Sequence, residues 1–237
     1  MSARARIAAL IAAAVLCAAP ARADEPLRFE AQAGVCEHGR AGSGIWWNAA
    51  YPTEIDLRSA CWSLGVSQVP WRAQGWSLGW RADYVDLGRY QADNVFALRD
   101  DEQFSGVTGE DCDLATGRGC LGRGRINGRT RGVSIGALAE HSAGALVLGA
   151  EAGVFLYYNW FAVAVTSYPQ DQPLAAMKWG DIQATPYAGI TARYGVLIAT
   201  GRVYGNVVAA EHNCPGCSGI THGPAWQVMI GLNGAFQ

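Results

Sequence analysis

Six of the seven cysteines, the four histidines and a local run of acids and arginines between residues 100 and 131 are the residues here whose chemistry could matter most. The cysteines downstream of residue 23 are Cys36, Cys61, Cys112, Cys120, Cys214 and Cys217. An even number in an exported chain points to disulfides. Zinc is the weaker reading: Cys214-Pro-Gly-Cys217 has His212 and His222 nearby, but no second Cys-x-x-Cys completes a four-ligand set. No metal and no cofactor is expected.

His141-Ser142 beside Glu140, with Glu151 further on, has the residue types of a hydrolytic triad. A base must lie within hydrogen-bond reach of its nucleophile, and adjacent residues on a strand point to opposite faces. His38, His212 and His222 have no nucleophile motif beside them and read as solvated loop histidines. The stretch 90–128 carries Asp100, Asp101, Glu102, Glu110, Asp111 and Asp113, then Arg118, Arg123, Arg125, Arg129 and Arg131. Asp111-x-Asp113 lacks the glutamate that would close a calcium loop. Arg118, Arg123, Arg125, Arg129 and Arg131 are candidate contacts to lipopolysaccharide phosphates, because guanidinium pairs bidentately with phosphate. The competing reading has these acids and arginines neutralising one another in solvent. Trp46-Trp47 is placed at a membrane interface or over a barrel mouth.

These residues need elements to position them. Residues 1–23 read as a secretory signal peptide: Arg4 and Arg6, an apolar run from Ile7 to Cys17, and Ala21-Arg22-Ala23 before the cleavage point. Losing its three arginines takes the formal charge from −2 to −5. That balance argues against a nucleic-acid partner. Only 16% of residues are charged and 50% are hydrophobic, which excludes disorder. The mature chain has no apolar run long enough for a transmembrane helix.

The hydrophobic period is two. Clear alternation covers 27–36, 76–84, 146–156, 186–193 and 226–236, and weaker alternation covers 55–66, 130–140 and 196–207. Eight strands of about ten residues suit a tilted bilayer crossing. The connections alternate: long at 37–54, 90–128, 158–183 and 208–223, and short at 67–74, 141–144 and 194–195. This predicts an all-β, eight-stranded antiparallel up-and-down transmembrane β-barrel over 24–237, with its long loops on one side. One register is apolar. The other carries glycines and the charges Arg28, Glu30, Arg81, Asp83, Glu140, Glu151, Arg193 and Arg202. A charge facing lipid at the midplane costs about 2–4 kcal/mol, so these eight are expected to face the lumen and fill it with ion pairs.

Cys36 and Cys61 fall on the inward parity of adjacent strands, directly opposite by this reading. Cys112 and Cys120 share a loop, and Cys214 and Cys217 bracket a turn. Local pairing 36–61, 112–120 and 214–217 is therefore expected.

The signal peptide, eight alternating strands, asymmetric loops and terminal segment Trp226–Phe236 resemble the small OmpA- and OmpX-type outer-membrane barrels. The segment Trp76–Gly88 is similar to their strand style, whereas the chain ends on Gln237 rather than an aromatic residue. No peptidoglycan-binding domain is expected. The resemblance implies a bacterial outer-membrane location. It also implies a structural or surface-interaction role, with the outer-membrane lipids, lipopolysaccharide, the assembly machinery and an unidentified extracellular ligand as partners. A lipid A deacylase-like enzyme is the alternative, and a small passive pore the weaker one. No catalytic constellation is found.

Overall fold

The computed structural model describes residues 26–39, 54–97, 121–168, 171–207 and 223–236. The signal peptide, Trp46-Trp47, the acids from Asp100 to Asp113, Arg118, His212, His222 and Cys112, Cys120, Cys214 and Cys217 lie outside the described residues. The described chain is all β: β1 (Leu27–Glu37), β2 (Glu54–Asp56), β3 (Arg58–Ala73), β4 (Trp76–Ala97), β5 (Leu121–Ala143), β6 (Leu146–Ser167), β7 (Pro173–Tyr194), β8 (Leu197–Asn206) and β9 (Pro224–Phe236). All pairings are antiparallel. Running β4-β3-β1-β9-β8-β7-β6-β5, with β4 also paired to β5, they close an eight-stranded up-and-down barrel. The short β2 adds to β4 beyond the end of β3.

Three tight turns join strands at one end. Gln74 and Gly75 both have positive φ (52° and 82°), as a type I′ hairpin requires. Gly144 and Gly195 supply the left-handed residue in the other two. Leu27 pairs with Phe236, so both ends of the barrel chain lie on this turn side.

The strands outrun the expected ten residues. β4 to β7 are 22, 23, 22 and 22 residues long. Only about 9–11 residues are needed to cross a bilayer at a tilt. The segment 158–183, expected as a loop, therefore belongs largely to strands, and so do both ends of 90–128: β4 continues to Ala97, β5 begins at Leu121, and β6 and β7 reach Ser167 and Pro173. Their pairing with one another sustains them. β1, β8 and β9 stop much lower, so four strands stand above the rest as a curved wall.

The outward face of the lower barrel is an apolar band. Leu64, Leu78, Val133, Leu148, Leu156, Ile190, Val228, Ile230 and Leu232 are exposed there. Exposed aromatics edge it on both sides: Trp71, Trp76 and Tyr194 at the turn end, and Trp62, Tyr84, Tyr158 and Trp160 at the other. At about 3.3 Å per residue, the span from Trp76 to Tyr84 on a tilted strand is roughly 20 Å high.

Candidate functional site

The barrel lumen is built in layers, and each layer follows from inward parity. Lowest is Glu140, bridged by Arg28 at 3.0 Å and by Arg193. Above it, Arg81 reaches Glu30 at 2.6 Å, Asp83 at 3.0 Å and Glu151 at 3.6 Å. Arg202 reaches Asp83 at 2.6 Å and also binds Glu151. Ser67 donates to Glu30 at 2.9 Å and Ser134 to Asp83 at 3.2 Å. All eight charges thus lie inside the barrel in two connected clusters, with the Arg202 side chain fully buried. Gly189 makes room for them: a Cβ there would lie 2.8 Å from Arg202 Cγ and 2.9 Å from Glu151 Oε1.

A second layer is apolar and aromatic, and reading the lumen as ion pairs alone missed it. Phe155, Tyr157, Tyr187, Tyr204, Leu87 and Met229 form one buried cluster. Phe155 packs on Tyr204 at 4.8 Å, and the Arg202 guanidinium lies 5.1 Å from the Tyr187 ring centre. All four aromatics sit on the inward parity of their strands, so alternation alone could have found them.

The Cys36–Cys61 disulfide belongs to this layer, with a Cα–Cα distance of 5.8 Å. The two residues are not directly opposite. Cys36 faces Ser59 and Cys61 faces Gly34, so the bridge runs diagonally across the ladder.

His38 corrects an expectation. Expected as a solvated loop residue, it is instead 1% exposed. It follows Cys36 on the same inward parity, just past the end of β1 and level with the upper aromatic ring. Its Nε2 lies 3.2 Å from Thr130 Oγ1 and its ring 5.0 Å from that of Tyr90. Burial lowers its pKa from the ordinary histidine value to about 4. Further up, Leu57, Tyr90, Ala92, Ile126 and Phe161 form a second apolar cluster inside the wall.

The triad residues do not converge. Glu140 faces the lumen, whereas His141 packs against Trp76 at 4.8 Å at the turn end. Among the described residues no three His, Cys, Asp or Glu side chains gather as a metal site.

The arginines expected in a loop stand on β5. Arg123, Arg125, Arg129 and Arg131 share its outward parity, above Val133. Arg123 pairs with Asp93 at 2.7 Å and Arg125 with the same carboxylate at 3.3 Å. The hydrogen bond from Arg123 holds the Asp93 carboxyl below its usual range. Arg129 binds Asp86, which sits in a bulge of β4.

That bulge opens a groove on the outer wall. The β3–β4 ladder ends at Trp62–Asp86 and pairing resumes only at Asp56–Gln91. The groove has a volume of about 740 Å³ and includes Arg89, Asn127, Arg129, Arg131, Tyr158 and Trp160 in its lining.

No protein-family model and no curated protein sequence matches this chain. Among solved structures it is similar to Ail, the attachment invasion locus protein of Yersinia pestis, crystallised with the heparin analogue sucrose octasulfate. That likeness has 9% identity, a TM-score of 0.41, and coverage of 88% of this chain and 99% of that one. It is also similar to the outer membrane protease OmpT of Escherichia coli, at 12% identity and a TM-score of 0.41, covering 90% of this chain and 97% of that one.

Proposed function

We propose that this chain is an outer-membrane β-barrel with a structural or surface-interaction role, a filled lumen and connections displayed outside the cell. The observation that carries the reading is the inversion of a soluble barrel. Large apolar side chains face outward in a band edged by aromatics, and the charges face inward. Such a band, about 25 Å tall and flanked by aromatic girdles, is what a bilayer demands of a spanning barrel. Closure leaves no unpaired strand edge within the band. The signal-like first 23 residues agree with export, and the tight-turn end then faces the periplasm. The tall β4–β7 wall rises outside, carrying the groove at its base.

On this reading the partners are the outer-membrane lipids, with lipopolysaccharide touching the β5 arginines, the assembly machinery, and an extracellular ligand of the displayed connections. The buried charge clusters and the aromatic layer give no support to a passive pore. The separation of Glu140 from His141 gives none to a deacylase.

Membrane fractionation tests the proposal. The protein is expected in the detergent-extracted outer-membrane fraction, with different gel mobility before and after boiling in SDS. Recovery in the soluble periplasmic fraction without detergent would refute it.

A further inference from the structure

We propose that the groove at the β4 bulge binds the phosphate of an outer-leaflet lipid headgroup, and this rests on the outer-membrane reading above. Three observations define the site. The first is electrostatic. Arg89 stands directly opposite Arg129 in the β4–β5 ladder, and Arg131 follows on the same outward face. Like charges directly opposite one another are destabilising. Asp86 answers Arg129, but Arg89 and Arg131 form no ion pair with any described residue. Among the described residues, Arg89 and Arg131 are thus the groove arginines that hold no ion pair, Asp86 standing opposite Arg131 in the ladder but binding Arg129, whereas Arg123 and Arg125 higher on the wall pair with Asp93.

The second observation is chemical pairing across β5–β6. Arg129 is opposite Trp160 and Arg131 is opposite Tyr158, and both aromatics are exposed. A planar guanidinium binds phosphate oxygens bidentately, and an adjacent aromatic face offers a platform for the ring of a sugar that carries the phosphate. Asp56 lies on the rim, where its Oδ1 accepts the Arg58 backbone N–H at 3.1 Å.

The third observation is height. Tyr158 and Trp160 belong to the upper aromatic ring, so the groove begins where the apolar band ends. That is the level of headgroup phosphates, not of acyl chains. A volume of about 740 Å³ accommodates a phosphorylated sugar unit and exceeds what a free inorganic ion would fill.

The test uses the purified full chain in detergent and three probes: lipid A bearing both phosphates, enzymatically dephosphorylated lipid A, and inorganic phosphate. The phosphorylated lipid is expected to bind at least about tenfold more tightly than the dephosphorylated one, and an Arg89→Gln/Arg131→Gln double variant should lose about that factor. Lys178→Gln, which removes an exposed cation of β7 outside the groove lining, should retain wild-type affinity. Inorganic phosphate should bind far more weakly than the lipid. Equal affinity for both lipids, an unaltered double variant, or inorganic phosphate binding as tightly as the lipid would each overturn the proposal. Gel mobility before and after boiling is read on the same samples. A folded barrel that ignores phosphorylated lipid refutes the groove alone, whereas absence of a heat-modifiable form in the wild type refutes the outer-membrane reading.

Discussion

Arg202 is fully buried, yet it engages Asp83 and Glu151 together and lies over the Tyr187 ring. A charge so placed is tolerable only while its partners remain, because an unpaired buried ion keeps its desolvation cost and loses its Coulombic return. Glu151 also faces Arg81, so Glu151→Ala strips a carboxylate from two guanidiniums. We expect it to cost about 3–5 kcal/mol, and less when Arg202→Met accompanies it. Urea unfolding of the reconstituted protein measures both. His38 makes a separate prediction. Its folded pKa of about 4 is below the unfolded value near 6.5, so between these limits the unfolded chain binds more protons. The His38 contribution is complete above about pH 6.5 and declines as pH falls toward 4, by about 3 kcal/mol in all. Its ring is packed by Tyr90 and Thr130, with the Asp86 charge nearby. In His38→Phe the slope of stability over this window should be shallower by the His38 contribution.

Among the elements, β5 shows most clearly what a sequence reveals and what it hides. From Val133 to Ala139 its outward residues are apolar because lipid requires it, and the period of two is plain. From Leu121 to Arg131 the outward face carries Arg123, Arg125, Asn127, Arg129 and Arg131. Outside the apolar band nothing selects for hydrophobic residues there, so the alternation disappears although the ladder continues. That is why the tall wall reads as loop. The inward register was legible for the charges. It was equally readable for Phe155, Tyr157, Tyr187 and Tyr204, but a lumen imagined as wholly polar obscured them. The groove was not legible, since it depends on a bulge and a gap between strands that no local pattern marks. The diagonal offset of Cys36 and Cys61 likewise depends on register, which alternation does not fix. Non-reducing peptide mapping should recover a crosslinked peptide joining Cys36 to Cys61. A crosslink from Cys36 to any other cysteine would contradict the observed pairing. The same digest tests the proposed pairs Cys112–Cys120 and Cys214–Cys217.

At the scale of the whole molecule, the filled lumen and the apolar exterior make two independent demands. Two charge clusters, an aromatic layer and a disulfide occupy the interior, so planar bilayers containing the protein should show no stable porin-sized conductance. The exterior demand is the central one. Ile230 on β9 is 71% exposed in the middle of the band. On a soluble barrel, replacing such a residue by arginine would change stability by no more than about 0.5 kcal/mol. Facing hydrocarbon, the same arginine costs about 2–4 kcal/mol. The decisive measurement is the folding free energy of Ile230→Arg in lipid bilayers relative to wild type. A loss of about 2–4 kcal/mol is the predicted result, and a change within about 0.5 kcal/mol would contradict a membrane-spanning barrel.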